Sequence, residues 1–197
     1  MKVKLYIEGG GDSELQANQF RKGWEEFFRS AGLKGRMPAI IRGGGREQTF
    51  DDFCTAVWKR KADILPILLV DSEDLVQEGH SAWQHLKARA ADNWDKPDQA
   101  GEHDAFLMIC CMETWFLADR TALQKFFGGE WKESKVPNWT DLEKVDKRKV
   151  FDTLDKATSG SYKKGKVSFK LLGMINPSEV EKKCKGAESL LKRLREL

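Results

Sequence analysis

Short apolar runs that stop abruptly at Gly or an acidic residue alternate along this chain with stretches whose apolar positions recur every three or four residues. Residues 3–7 stop at Glu8 and a glycine triplet, residues 37–42 at Gly43, and residues 64–70 at Asp71; residues 105–111 run into Met112. Runs of this length and abruptness predict buried strands of a parallel sheet. Between the first two, Leu15, Phe20, Trp24, Phe27 and Phe28 fall on one helical face, with Arg21, Lys22, Glu25 and Glu26 opposite. Ser13 is the expected N-cap and Gly32 the expected stop. Phe50, Phe53, Cys54, Val57 and Trp58 outline a second helix, and a short one is expected around Trp83 and Leu86. Residues 90–104 read as a polar loop or lid.

Further along, residues 112–119 have helical spacing, and Asp119 is placed to cap a continuation through Leu123, Phe126 and Phe127 that ends at Gly128. Residues 130–145 are loop-like and 147–157 helical. A basic turn over 163–166 precedes a short apolar helix over 169–175, and Ala187, Leu190, Leu191 and Leu194 line a closing helix. Alternation of strand and helix predicts an α/β fold with right-handed crossovers. The expectation is one domain: a mostly parallel sheet flanked by helices, with a core over about 1–128 and a helical C-terminal extension over about 129–197. Residues 64–70, the most hydrophobic run, should be central.

Composition narrows this only slightly. With 197 residues, 40% hydrophobic and 33% charged, the chain can bury a sizeable core, and disorder along most of it is excluded. It shows no basic and apolar leader and no run long enough to span a bilayer, so a cytoplasmic location without membrane contact is expected. Cys54, Cys110, Cys111 and Cys184 lack metal-binding or redox spacing and read as reduced core thiols. Net charge is +3, but Lys163, Lys164, Lys166, Lys170, Lys182, Lys183, Lys185, Lys192, Arg193 and Arg195 crowd the last quarter. That bias suits phosphate contacts to nucleic acid, or equally a solvated helix surface.

The candidate chemistry lies at the strand ends. If the first and third strands are neighbours, Glu8, Asp71 and Glu73 converge where strand order reverses, the place where open α/β sheets bind ligands. Crowded carboxylates call for a cation, and hard oxygen donors suit Mg²⁺ or Mn²⁺. Asp12 is a further candidate ligand, and Asp74 would turn away. Gly9, Gly10 and Gly11 before a helix N-terminus could admit a phosphate, although the loop is neither a P-loop nor a dinucleotide fingerprint. Arg46, after the second glycine cluster, is a candidate phosphate-binding residue. Glu113 sits in a very apolar stretch and so must be paired, protonated or metal-bound. His80, His85 and His103 lie in the loop region without zinc spacing, and Trp83 and Trp94 could stack on bases or simply pack.

Glu8-Gly9 after a first strand, then Asp71-x-Glu73 after a third, resembles the Toprim domain, the Mg²⁺ module of topoisomerases, primases and several nucleases. Through Gly43-Gly-Gly-Arg46, Leu69-Val-Asp-Ser-Glu-Asp74, Cys111-Met-Glu-Thr-Trp-Phe-Leu-Ala-Asp119 and Lys166-Val-Ser-Phe169, nearly the whole chain also looks like a small bacterial family of Toprim-like proteins of unknown function, often encoded beside ATPases in mobile or anti-phage defence loci. The resemblance implies that Glu8 acts as general acid/base or metal ligand and that Asp71 and Glu73 hold Mg²⁺. It also implies a lysine near the phosphate, for which Lys164 and Lys166 are the candidates. The chain departs from the Toprim pattern with Glu73 in place of the usual second Asp. The function expected is metal-dependent phosphodiester hydrolysis of DNA or RNA by a defence effector. The alternatives are a non-catalytic metal- or nucleotide-binding partner of an ATPase and a small-molecule phosphohydrolase. Tyr6 and Tyr162 are the only tyrosines, and neither is placed as a topoisomerase nucleophile.

Overall fold

The computed structural model describes residues 1–9, 13–165 and 167–197. Four strands, β1 (Lys2–Ile7), β2 (Ala39–Arg42), β3 (Ile64–Asp71) and β4 (Ala105–Met108), form one sheet in the order β2-β1-β3-β4 with every neighbouring pair parallel. The mostly parallel sheet expected from the apolar runs is thus wholly parallel among the described residues. Chain order reverses between β1 and β3, so their carboxyl ends open onto a topological switch point. Pro66 lies inside the central strand. Its missing N–H faces the β4 side, but β4 begins pairing only at Leu68, so no ladder bond is lost.

Alternation along β3 sends Leu65, Ile67 and Leu69 to one face and Leu68 and Val70 to the other. On the first face pack α1 (Glu14–Phe28) and the C-terminal helices; on the second pack α2 (Arg46–Trp58) and α3 (Ala82–Ala88). α1 starts at a capping box in which Ser13 Oγ accepts from Gln16 N–H and the Gln16 side chain accepts from Ser13 N–H. Past β4 the chain continues as α4 (Glu113–Ala118) and α5 (Arg120–Phe127). Asp119 caps α5 at Ala122 N–H, and its other oxygen accepts from Asn176 N–H. α6 (Lys147–Ala157), α7 (Ser168–Leu172), α8 (Pro177–Lys183) and α9 (Lys185–Glu196) complete the fold. One hydrophobic cluster runs from Leu5 to Leu194, so the C-terminal helices share the core of the sheet.

One expected boundary moves. The fourth strand stops at Met108 rather than Cys111, because Cys110 adopts φ 60 and turns the chain into α4. His85 is helical and buried, and its Nε2–H donates to the Ser72 carbonyl at 2.9 Å. α8 was not foreseen, although Asn176 before Pro177 is a strong start signal. The four cysteines are free thiols, three of them buried. Among the described residues, no helix is long and apolar enough to cross a membrane.

Gly23 is where α1 meets α7: a Cβ there would lie 2.3 Å from the Phe169 carbonyl oxygen. Alanine gains about 1 kcal/mol of helix propensity, but overpacking costs about 1–3 kcal/mol. Gly23→Ala should therefore lower the urea midpoint, and an unchanged or higher midpoint would show that the α1–α7 contact is loose.

Candidate active site

At the carboxyl ends of β1 and β3, Glu8, Gly9, Asp71, Glu113, Lys164 and Ser168 help to line a cavity of about 200 Å³. A larger hollow of about 540 Å³ opens beside β4, but its charged residues, such as Glu102 and Lys144, come from a turn and a short 3-10 helix and are not brought in by strand ends. The smaller cavity is where sheet topology concentrates charge. Asp71 is the last residue of β3 and shares the face of Leu69 and Ile67; its Oδ1 accepts from Met112 N–H at 2.9 Å. Burial, and then the neighbouring charges of Glu8 and Glu113, push its pKa up to about 8, against the pull of Lys147 and Lys164. Burial also raises the pKa of Glu8, partly offset by Arg46.

Glu113 is fully buried at the first turn of α4. Its Oε1 accepts from the Tyr162 hydroxyl at 2.7 Å, and Tyr162 Oη lies 2.9 Å from Ser168 Oγ. Its Oε2 is buried with no hydrogen-bond partner. Burial, and then the charge of Glu113, raise the Tyr162 pKa, so the phenol keeps its proton and is no nucleophile. Lys164 reaches the cavity from the turn before α7, with Nζ also 5.2 Å from the centre of the Phe151 ring.

Other expected residues lie differently. Glu73 takes φ 66, which breaks the alternation that would have set it beside Asp71. Its carboxylate accepts instead from Lys147 Nζ at 2.7 Å, and the same ammonium stands 3.8 Å from Asp71 Oδ2. Glu73 thus flanks the cavity through Lys147 and does not line it. Although burial opposes charge on Lys147, these carboxylates hold its pKa above the ordinary lysine value. Arg46, expected to bind phosphate, is already engaged. Its Nη1 donates to Glu8 Oε2 at 2.9 Å and to the Asp71 carbonyl at 2.6 Å, while Nε and Nη2 grip Asp92 bidentately at 2.8 and 2.7 Å. Trp94 covers this guanidinium at 5.0 Å and stacks in turn on Phe50, so it offers a packed face, and Trp83 is buried. Gly9 lines the cavity at φ 111, but its N–H donates to the Gly44 carbonyl and is not available to a phosphate. Gly10, Gly11, Asp12 and Lys166 lie outside the described residues.

Several basic residues of the last quarter serve the fold. Lys183 donates to the Ala118 carbonyl, and Arg195 binds Glu181 and the Ala31 carbonyl. Lys147, Tyr162 and Ser168 were missed. Each sits in a helix or turn that reads locally as solvated, and only Tyr162, an aromatic residue in basic and small-residue text, carried a signal.

Among the described residues, no three His, Cys, Asp or Glu side chains form a ready ion cage. The donor set nonetheless fits a hard divalent cation in kind. It is all oxygen, it is anionic beyond what its own lysines offset at Asp71, and it contains a buried carboxylate oxygen that nothing satisfies. Mg²⁺ is commonly held by one or two carboxylates plus water and substrate phosphate, without a full protein cage.

A family model described as a domain of unknown function, DUF4276, matches residues 7–195. The chain belongs to this family. The match starts at the last residue of β1 and runs to the penultimate residue of α9, so it takes in β2, β3, β4 and the C-terminal helices that close the cavity. No curated protein and no solved structure matches the chain.

Proposed function

We propose that this DUF4276 protein is a Mg²⁺- or Mn²⁺-dependent phosphodiesterase acting on DNA or RNA, with its centre in the cavity of Glu8, Asp71 and Glu113. The observation that carries this reading is the buried, unpartnered Oε2 of Glu113, a residue that lines the same cavity as Asp71, a carboxyl whose surroundings disfavour its charge in spite of Lys147 and Lys164. The Toprim-like sequence pattern of Glu8 and Asp71-x-Glu73, with Glu8 and Asp71 at the switch point between β1 and β3, supports it. A bound divalent ion would supply Lewis-acid polarisation of the phosphoryl oxygen and a water of lowered pKa. Glu8, Asp71 and Glu113 bring the negative charge that favours such an ion, and Lys164 brings a cation to the phosphate. Arg46 fixes Glu8 from behind, while Lys147 holds Glu73 aside.

Cavity size favours a polymer. About 200 Å³ is less than the roughly 300–1,000 Å³ of small-molecule pockets, so a phosphate can enter while the rest of the substrate lies outside. The same size argues against a small-molecule phosphohydrolase. A defence role beside an ATPase, in the cytoplasm, is part of this proposal and rests on the family resemblance alone. The second reading, a non-catalytic binding partner of an ATPase, is favoured by one observation, the lack of a ready cage among the described residues.

The test is cleavage of mixed DNA and RNA with Mg²⁺ or Mn²⁺, alone and with a neighbouring ATPase. Since loss of a residue behind a metal ligand already costs about 10–100-fold in metal affinity or activity, Glu8→Gln and Asp71→Asn should each reduce cutting by at least about 100-fold. Measurable metal binding without any cutting would favour the binding partner.

A further inference from the structure

Resting on the metal-dependent reading above, we infer that Tyr162, backed by Ser168, is a positioning residue that presents Glu113 Oε2 to the divalent cation and ties the Lys164 turn to the same site. A hydroxyl has one proton, and Tyr162 donates its own to Glu113 Oε1 at 2.7 Å. The 2.9 Å contact between Tyr162 Oη and Ser168 Oγ is therefore donated by Ser168. Ser168 Oγ in turn accepts from Gly165 N–H at 3.0 Å. All donors in this chain point one way, from the backbone of the turn through two hydroxyls to one carboxylate oxygen.

Three features make the chain more than core satisfaction. Tyr162 satisfies Oε1 alone, so Glu113 is held in a single orientation with Oε2 left over and buried. A fold that needed only to bury this carboxylate would gain by satisfying both oxygens, because an unpaired buried oxygen costs about 1–3 kcal/mol or more when charged. Glu113 and Ser168 also line the cavity from different elements, α4 and α7. Finally, Gly165 directly follows Lys164, so the last link of the relay fixes the turn that carries the cavity lysine. Carboxylates that bind metals are typically themselves hydrogen-bonded, and such partners set orientation and affinity. Tyr162 fills that place for Glu113.

Mn²⁺ binding to the full chain, read by loss of the free-ion electron paramagnetic resonance signal and by Mg²⁺ competition, tests this beside metal-free thermal unfolding. Wild type should bind, and Glu113→Gln should weaken binding by at least about 100-fold. Tyr162→Phe, which removes one oxygen atom, should weaken it by about 10-fold or more, and Ser168→Ala in the same direction by less. Should Tyr162→Phe fail to fold, Ser168→Ala carries the test. Wild-type affinity in a folded Tyr162→Phe, or in Ser168→Ala when that variant carries the test, would overturn the positioning role even if the melting temperature fell. No Mn²⁺ binding by wild type would instead overturn the metal reading on which the role depends.

Discussion

Asp71→Asn is expected to leave the metal-free protein as stable as wild type below about pH 4 and increasingly more stable up to about pH 8, even as it abolishes the proposed metal-dependent activity. The Asp71 pKa stands at about 8 in the fold against an ordinary 3.8. Between those values the folded chain binds a proton that the unfolded chain has released, so stability falls as pH rises from about 4 to about 8 and then levels off. A tenfold change in proton affinity corresponds to about 1.4 kcal/mol, so the loss amounts to several kcal/mol, the largest pH effect expected here. Asparagine keeps an oxygen for the 2.9 Å bond from Met112 N–H and carries no charge, so the variant should lack this slope. Differences in urea midpoint between wild type and variant across pH 5–8 isolate the contribution from other titrating groups. Saturating Mg²⁺ or Mn²⁺ should flatten the wild-type slope only. Parallel pH profiles for the two proteins would mean that Asp71 is not held among unneutralised charges.

Arg46→Ala should be the most damaging substitution outside the apolar core. It removes the donor shared by Glu8, the Asp71 carbonyl and Asp92, whose side chain is 3% exposed, and it uncovers Trp94. Breaking a buried ion pair from one side typically costs about 3–5 kcal/mol. Arg89 still reaches Asp92 Oδ1 at 2.8 Å and limits the damage there. Lysine will not rescue, because a single ammonium cannot grip Asp92 with two donors while also holding Glu8. Denaturant unfolding of Arg46→Ala, Asp92→Asn and the double variant measures the coupling, expected at about 1–3 kcal/mol. A loss under about 1 kcal/mol for Arg46→Ala would show that Glu8 is held by something else.

How far these arrangements could be read from the chain depends on the range of the interactions. The strands were legible because strand ends are local events: Glu8, Gly43 and Asp71 each interrupt an apolar run, whereas the adjacency of β1 and β3, a condition in the sequence reading, is fixed only by the packed structure. Glu8, Asp71 and Glu113 were legible for the same reason, as acids abutting buried runs. Glu73 was misplaced because alternation holds only while the strand lasts, and β3 ends at Asp71, two residues earlier. Arg46 was recognised as a cation near phosphate chemistry, but its partner Asp92 sits in a polar loop where one acid looks like another. Tyr162, Ser168 and Lys147 join the candidate site only through packing across the C-terminal helices, which periodicity cannot report.

That packing also sets an order in time. A chain emerging from the ribosome displays Glu8, Asp71 and Glu113 long before Tyr162, Lys164 and Ser168 exist to roof them. Until Tyr162 has been made and α7 has docked on α1 and α4, Glu113 lacks its donor and the cavity its cover. On the proposed function, a nascent chain is therefore inert by construction. If the finished cavity cuts nucleic acid as proposed, the transcripts and tRNAs crowded around its own synthesis are spared until the last helices are in place.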